Sequence, residues 1–193
     1  MNICVFGASS SNIAPEYFAA AEELGALMAK DGHVLIFGGG SDGLMGACAR
    51  GVLKNGGKAV GIAPRFFDEP GVLLKDECEF IFTETMAERK SLMEDMAEAF
   101  IALPGGIGTY EEFFEVMTLK QLGRHGRSMA LLSTLDYYAP FIALLEATAE
   151  QGFMSKNCLE LYKLCKTPAE ALAHALTREE NLGSIKRLSD YHK

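Results

Sequence analysis

Residues 104–112 read PGGIGTYEE and set Gly105, Gly106, Ile107, Gly108 and Thr109 ahead of two carboxylates, Glu111 and Glu112. The segment lies between a short apolar run, AFIAL over 99–103, and a long amphipathic pattern, so it reads as a strand-to-helix turn. Such a turn presents backbone N–H groups with little side chain in the way, and the helix start behind it favours an anion, so a phosphate suits it. A carboxylate beside a bound phosphate adds the capacity for chemistry.

Glu112 admits two readings. Thr109 followed three residues later by Glu112 has capping-box spacing, with Thr109 as the N-cap and Glu112 reaching back to its amide. Alternatively, the carboxylate acts as a base or stabilises positive charge, held ionised with a low pKa by the helix dipole and nearby N–H donors. Glu111 is less apt, because neighbouring helical positions face about 100° apart. Arg89 and Lys90 carry a similar ambiguity. They fall early in a helical pattern, MAERK, where the dipole disfavours cations and asks for a compensating partner. An anionic ligand would serve, while a solvated charged face shared with Glu88 and Glu94 is the plainer alternative.

Two more loops have the composition to meet a ligand. GGGSDGLMG over 38–46, containing Gly39, Gly40, Gly43 and Met45, follows an apolar run at 34–37, and GASSSN over 7–12, containing Ser9, follows one at 2–6. GxGxxG is absent after the first strand, and so is GxxxxGK followed by Ser or Thr, which argues against a full dinucleotide or ATP site. A lone glycine cluster is often only a tight turn. Three loops on one edge favour a nucleoside monophosphate or a similar ligand.

That shared edge comes from the elements. Strand-like runs at 2–6, 34–37, 59–62, 80–82, 99–103, 129–132 and 161–165 alternate with helical patterns around 18–28, 44–54, 86–96, 110–122, 138–151 and from Thr167 onward. This alternation predicts an α/β, Rossmann-like, doubly wound and mainly parallel sheet with helices on both faces, whose ligand loops follow the C-terminal ends of the strands. Thr167-Pro168-Ala169-Glu170 marks the last helix with an N-cap, a proline at the first position and a capping glutamate. A single nucleotide-binding domain is expected over 1–177, with a polar tail over 178–193.

At 193 residues, 49% of them hydrophobic, the chain can bury one substantial core. A net charge of −8 without a basic cluster argues against a nucleic-acid surface. The apolar opening is too short for a signal peptide and nothing approaches a membrane span, so a cytoplasmic location is expected. Cys4, Cys48, Cys78, Cys158 and Cys165 show no CxxC, and the four histidines no metal-binding pair, so neither disulfides nor a metal is expected.

GGGSDGLMG, the MAERK run and PGGIGTYEE together, with the spacing between Arg89 and Glu112, resemble the LOG family of cytokinin-activating phosphoribohydrolases, long mislabelled as lysine decarboxylases. The likeness runs from about Ile3 to about Met154. It implies a Rossmann-like fold, a homodimer with active sites near the subunit interface, and hydrolysis of a nucleoside 5′-monophosphate to free base and ribose 5-phosphate; no cofactor is expected. The base it implies is an N6-modified adenine or adenine itself. Carried onto this chain, it makes Arg89 and Glu112 the catalytic pair and places Lys90, Gly106, Gly108, Thr109 and Thr118 in substrate binding. Gly105 and Ile107 of the same turn, with Ser9, Gly39, Gly40, Gly43 and Met45 of the other loops, complete the candidate set.

The chain departs from the family where an acidic residue often follows Pro-Arg after the third strand, because Pro64-Arg65 is followed here by Phe66-Phe67-Asp68-Glu69. Asp68 or Glu69 could substitute, or base selection could differ. The chemistry is coherent: N-glycosidic cleavage builds oxocarbenium-like charge on the ribose, which an ionised Glu112 would stabilise while orienting or deprotonating water. The competing class is a non-catalytic carrier of a nucleotide or molybdenum cofactor. A pyridoxal-phosphate decarboxylase is disfavoured, since no Schiff-base lysine motif stands out. Phe113, Phe114, Val116, Met117 and Leu119 give one helix an apolar surface that fits either a subunit contact or the core.

Overall fold

A computed structural model describes residues 1–177, which build a seven-stranded, wholly parallel sheet in the order β4-β3-β2-β1-β5-β6-β7. The strands are β1 (Asn2–Phe6), β2 (Val34–Phe37), β3 (Lys58–Pro64), β4 (Glu79–Thr83), β5 (Ala99–Ala102), β6 (Ser128–Leu132) and β7 (Lys163–Cys165). The helices are α1 (Pro15–Lys30), α2 (Gly43–Lys54), α3 (Met86–Met96), α4 (Ile107–Gln121), α5 (Ala139–Glu150) and α6 (Pro168–Ala175). The polar tail expected over 178–193 lies outside the described residues. Among the described residues no helix is long and apolar enough to cross a membrane, and no cluster of side chains could hold a metal ion.

Alternation along the central strand divides the core. Ile3 and Val5 of β1 face α1, α2 and α6, whereas Cys4 and Phe6 face α3, α4 and α5, and all four are at most 4% exposed. Burial on both faces explains why these strands read as continuous apolar runs rather than alternating ones. Phe113, Val116 and Met117 of α4 pack into the second of these cores, so most of that helix's apolar surface is core packing. Cys4, Cys48, Cys158 and Cys165 are buried and Cys78 is half-buried.

Strand order reverses at β1, which pairs with β2 on one side and β5 on the other. The loops after β1, β2 and β5 therefore converge at the switch point where ligands of open α/β sheets bind. Backbone hydrogen bonds tie them together: the Ala8 N–H donates to the Pro104 carbonyl at 3.0 Å and the Leu44 N–H to the Ala8 carbonyl at 2.8 Å. Gly43 enters α2 with φ at 62°, and a Cβ there would lie 2.2 Å from the Ala8 oxygen, so this close crossing needs glycine.

One helix cap read from the sequence forms and the other does not. Thr167 accepts the Glu170 N–H at 3.2 Å as expected, and Thr85 does the same for Glu88 at 3.1 Å at the start of α3. The departure is α4, which begins three residues earlier than its sequence pattern, at Ile107, with Gly106 as N-cap and no side-chain cap. Thr109 is then the third helical residue, so the capping box read from Thr109 and Glu112 does not form. Extending the helix to Ile107 satisfies the Tyr110 N–H with the Gly106 carbonyl at 3.1 Å and leaves Glu112 free for another partner.

Candidate active site

At the switch point the loops enclose a cleft of about 660 Å³, within the usual range for a small-molecule site. Its floor is Gly7, Ala8 and Ser9. One wall is the start of α4, from Gly106 to Thr109 with Glu112, and the facing wall is Gly38, Gly40, Asp42 and Met45. Its outer rim is apolar, built by Phe67, Val72, Leu73 and Met86. Helix geometry leaves the N–H groups of Ile107, Gly108 and Thr109 without intrahelical acceptors, so an electropositive end lines this cleft.

Arg89 and Glu112 meet inside it. The Arg89 Nη1 donates to Glu112 Oε1 at 2.8 Å, and the two side chains are only 8% and 11% exposed. Nε of the same guanidinium donates to the Ile62 carbonyl of β3 at 3.2 Å, which fixes the plane of the group. A Cβ on Gly38 would lie 2.3 Å from Nη2, so the absence of a side chain at 38 makes room for the guanidinium. Arg89 is thus neither solvated nor waiting for a ligand. Its compensating anion is a protein carboxylate 23 residues later.

Burial raises the Glu112 pKa, and the charge and hydrogen bond of Arg89 offset that rise only in part. The low pKa expected from the helix terminus is not found. Glu112 is the sixth residue of a helix that starts at Ile107, past the first turn where orphan N–H groups and the dipole act, and it sits in the interior.

Lys90 points away from the cleft. Its Nζ pairs with Glu115 Oε2 at 2.7 Å and with Glu111 Oε1, so the early-helix cation is compensated by carboxylates of α4. Of the candidate residues, Ser9, Gly40, Met45, Arg89, Gly106, Ile107, Gly108, Thr109 and Glu112 line the cleft. Gly39, Gly43 and Gly105 lie in the loops behind it, and Thr118 is exposed farther along α4.

Sequence reasoning passed over Asp42, Phe67, Leu73 and Met86, which also line the cleft. The segment between β3 and β4 has no helical or strand period, so nothing in its pattern marks it as a wall. It is held there by backbone pairing: the Leu74 N–H donates to the Gly39 carbonyl and the Ser41 N–H to the Val72 carbonyl, each at 2.9 Å. Asp68 is engaged by Lys75, and neither Asp68 nor Glu69 lines the cleft. Phe67 occupies the rim instead, and the Phe66-Phe67 pair was the available signal.

Residues 45–175 match the family described as possible lysine decarboxylase. The chain is 36% identical to the cytokinin riboside 5'-monophosphate phosphoribohydrolase of Rhodococcoides fascians over 89% of its own length and 87% of the relative's. It is 38% identical to the protein of the same name from Mycobacterium marinum, covering 76% and 78%. The same enzyme name with the suffix LOG, from Oryza sativa subsp. japonica, is 36% identical over 87% and 69%. Among solved structures, the molybdenum cofactor carrier protein of Chlamydomonas reinhardtii superposes with a TM-score of 0.66 at 24% identity, covering 89% and 93%. The molybdenum cofactor binding protein of Rippkaea orientalis gives 0.67 at 21%, with the same coverage. At such identity these two structures establish the shared α/β fold and no more. With matched sequence running through α2, the Arg89 helix and the PGGIGT turn, the chain belongs to the LOG family, the group described as possible lysine decarboxylases.

Proposed function

We propose that this protein hydrolyses the N-glycosidic bond of AMP-like nucleoside 5′-monophosphates, including those with N6-modified adenine, and releases the free base and ribose 5-phosphate. The observation that carries the reading is the buried Arg89–Glu112 pair, set one helical turn and a half beyond a glycine-rich N-terminus in the same cleft. The relatives named as cytokinin riboside 5'-monophosphate phosphoribohydrolases support it.

In this reading the 5′-phosphate meets the open N–H groups of Ile107, Gly108 and Thr109, and the ribose is thereby held over Glu112. The base extends along the apolar rim. Water adds to the anomeric carbon as the bond from that carbon to the base nitrogen breaks, and the base takes up a proton from solvent, balanced by the one that Glu112 gains from the attacking water and later returns to solvent. Glu112 opposes the positive charge that grows on the ribose and accepts the proton of the attacking water. A carboxylate with a raised pKa is better suited to that second task than an ordinary one. Arg89 keeps it oriented from both the β3 carbonyl and the carboxylate side. A homodimer in the cytoplasm is the setting this function carries with it from the family.

The decisive experiment incubates the protein with AMP and with its N6-isopentenyl analogue and follows base and ribose 5-phosphate by chromatography. Release of both products in equal amounts is expected. Tight nucleotide binding without release across a panel of monophosphates would overturn the reading in favour of a carrier.

A further inference from the structure

Three consecutive carbonyls in the turn between β5 and α4 are each taken by a donor of the protein. The Leu103 carbonyl accepts from the Tyr138 hydroxyl at 2.6 Å, the Pro104 carbonyl from the Ala8 N–H at 3.0 Å, and the Gly105 carbonyl from the Tyr137 hydroxyl at 2.6 Å. Both tyrosines come from the segment joining β6 to α5, outside the cleft lining. Tyr138 is fully buried, and its own N–H is held by Ser133 Oγ at 3.0 Å.

The backbone that delivers them is unusual. Leu135 and Asp136 have φ of 53° and 55°, consecutive left-handed conformations in residues that are not glycine. Such a pair persists only where the surroundings hold it, and strain of this kind gathers where a structure needs a particular placement. Here the strained turn ends at the two tyrosines.

We propose that Tyr137 is a positioning residue for the reaction: by holding the Gly105 carbonyl, it turns the Gly105–Gly106 peptide so that the Gly106 N–H faces the 5′-phosphate. The described peptide bonds are all trans, and in a trans peptide the C=O and N–H point in opposite directions. Gly105 lies behind the cleft and Gly106 lines it, so an oxygen pinned on the protein side leaves the N–H on the ligand side. Because the single Tyr137 proton goes to a carbonyl, the Tyr110 hydroxyl 3.1 Å away donates to Tyr137, which completes a short relay. Burial and then Tyr110 push the Tyr137 hydroxyl up to about 12 against the opposing pull of the Gly105 carbonyl, so the donor stays protonated through the neutral range. Tyr138 anchors the same turn two peptides earlier, at the Leu103–Pro104 peptide, where Pro104 has no N–H to offer.

The inference rests on the reading that the start of α4 receives the phosphate, and binding assays separate it from the hydrolase assignment. Tyr137→Phe removes the hydroxyl and keeps the ring. Isothermal titration with ribose 5-phosphate and with free adenine, alongside steady-state kinetics on AMP, is the test. A roughly tenfold loss of ribose 5-phosphate affinity and a matching rise in KM are expected, with adenine affinity and kcat within about threefold. Tyr162→Phe, which deletes a hydroxyl from a tyrosine packed on Phe113 and keeps its ring, is expected to change none of these. Unchanged ribose 5-phosphate affinity in Tyr137→Phe, or an equal loss for adenine, would overturn the proposal. If that variant does not fold, the wild-type Gly106 amide resonance decides: it shifts on adding ribose 5-phosphate if the proposal holds and stays in place if it does not. A wild type that binds ribose 5-phosphate without releasing base overturns the hydrolase assignment alone, and one that binds neither phosphate compound overturns both.

Discussion

Arg89 on α3 donates to Glu112 on α4 across 2.8 Å, joining two helices that follow different strands and enclosing both charges where little water reaches. A buried ion pair of this kind is weak evidence of stabilisation, since desolvation opposes the attraction, and its retention fits a role in chemistry. Removing the charge while keeping the shape tests that role. Glu112→Gln leaves an amide oxygen for Arg89, so the variant is expected to fold. Base release should fall roughly 10²–10⁴-fold. Activity equal to wild type in a folded Gln variant would remove Glu112 from the mechanism.

The acidity of Glu112 gives a second test. Burial disfavours its ionised form more than Arg89 favours it. A reaction that needs the carboxylate is therefore lost on acidification at a pH above the ordinary glutamate value of about 4.3. Arg89→Met withdraws the principal influence holding that pKa down, so the acid limb of kcat/KM should move to still higher pH. Stability runs the other way. The unfolded chain releases this proton at a lower pH than the folded one, so the favourable contribution is present below the unfolded pKa and is lost as pH rises through the folded pKa. Glu112→Gln should flatten that part of the stability profile in chemical denaturation. An acid limb at or below the ordinary value, or one unmoved by Arg89→Met, contradicts the assignment.

Gly108 separates folding from binding. A Cβ at this second helical position of α4 would meet no protein atom within 4 Å, so nothing in the packing asks for glycine there. Gly108→Ala should leave the protein as stable or up to about 1 kcal/mol more stable, because alanine is the better helix former. The added methyl would stand beside the N–H groups assigned to the phosphate. Ribose 5-phosphate affinity is expected to drop about tenfold. A variant that binds it as wild type does would move the phosphate elsewhere.

The sheet was legible because β1, β2 and β5 are buried on both faces and so appear as unbroken apolar runs, and because the turns between them are glycine-rich. The start of α4 was not. Ile107 is 87% exposed and flanked by glycines, so no apolar period reaches back to it, and Thr109 and Glu112 have the spacing of a cap they do not form. Arg89 and Lys90 are adjacent and chemically alike, yet one enters the cleft and the other pairs with Glu111 and Glu115 on its far side. Only the packing of α3 against α4 decides which is which. The apolar rim was hidden for a different reason, since Phe67 and Leu73 belong to a segment positioned by backbone pairing to Gly39, Gly40 and Ser41, and such pairing leaves no side-chain pattern.

That rim bears on the choice of base. Phe67 is 41% exposed and Val72 and Met86 each 39%, and all three face the cleft without a carboxylate among them. Where family members often carry an acid after Pro-Arg, this chain offers apolar contact, and under the proposed function an apolar substituent on the adenine N6 is expected to gain more than an unmodified amino group. Removing one ring from the rim should cost about 1–2 kcal/mol of that contact, or roughly tenfold. Phe67→Ala is accordingly expected to lower kcat/KM for the N6-isopentenyl monophosphate about tenfold while changing that for AMP by less than threefold. The loss should appear mainly in KM, because the rim touches the leaving base away from the reacting carbon. Phe67→Asp, which restores an acid near the position where relatives often have one, should narrow the preference further by exposing the substituent to a charge. Equal losses for both substrates in Phe67→Ala would show that the ring shapes the cleft as a whole and does not select the base.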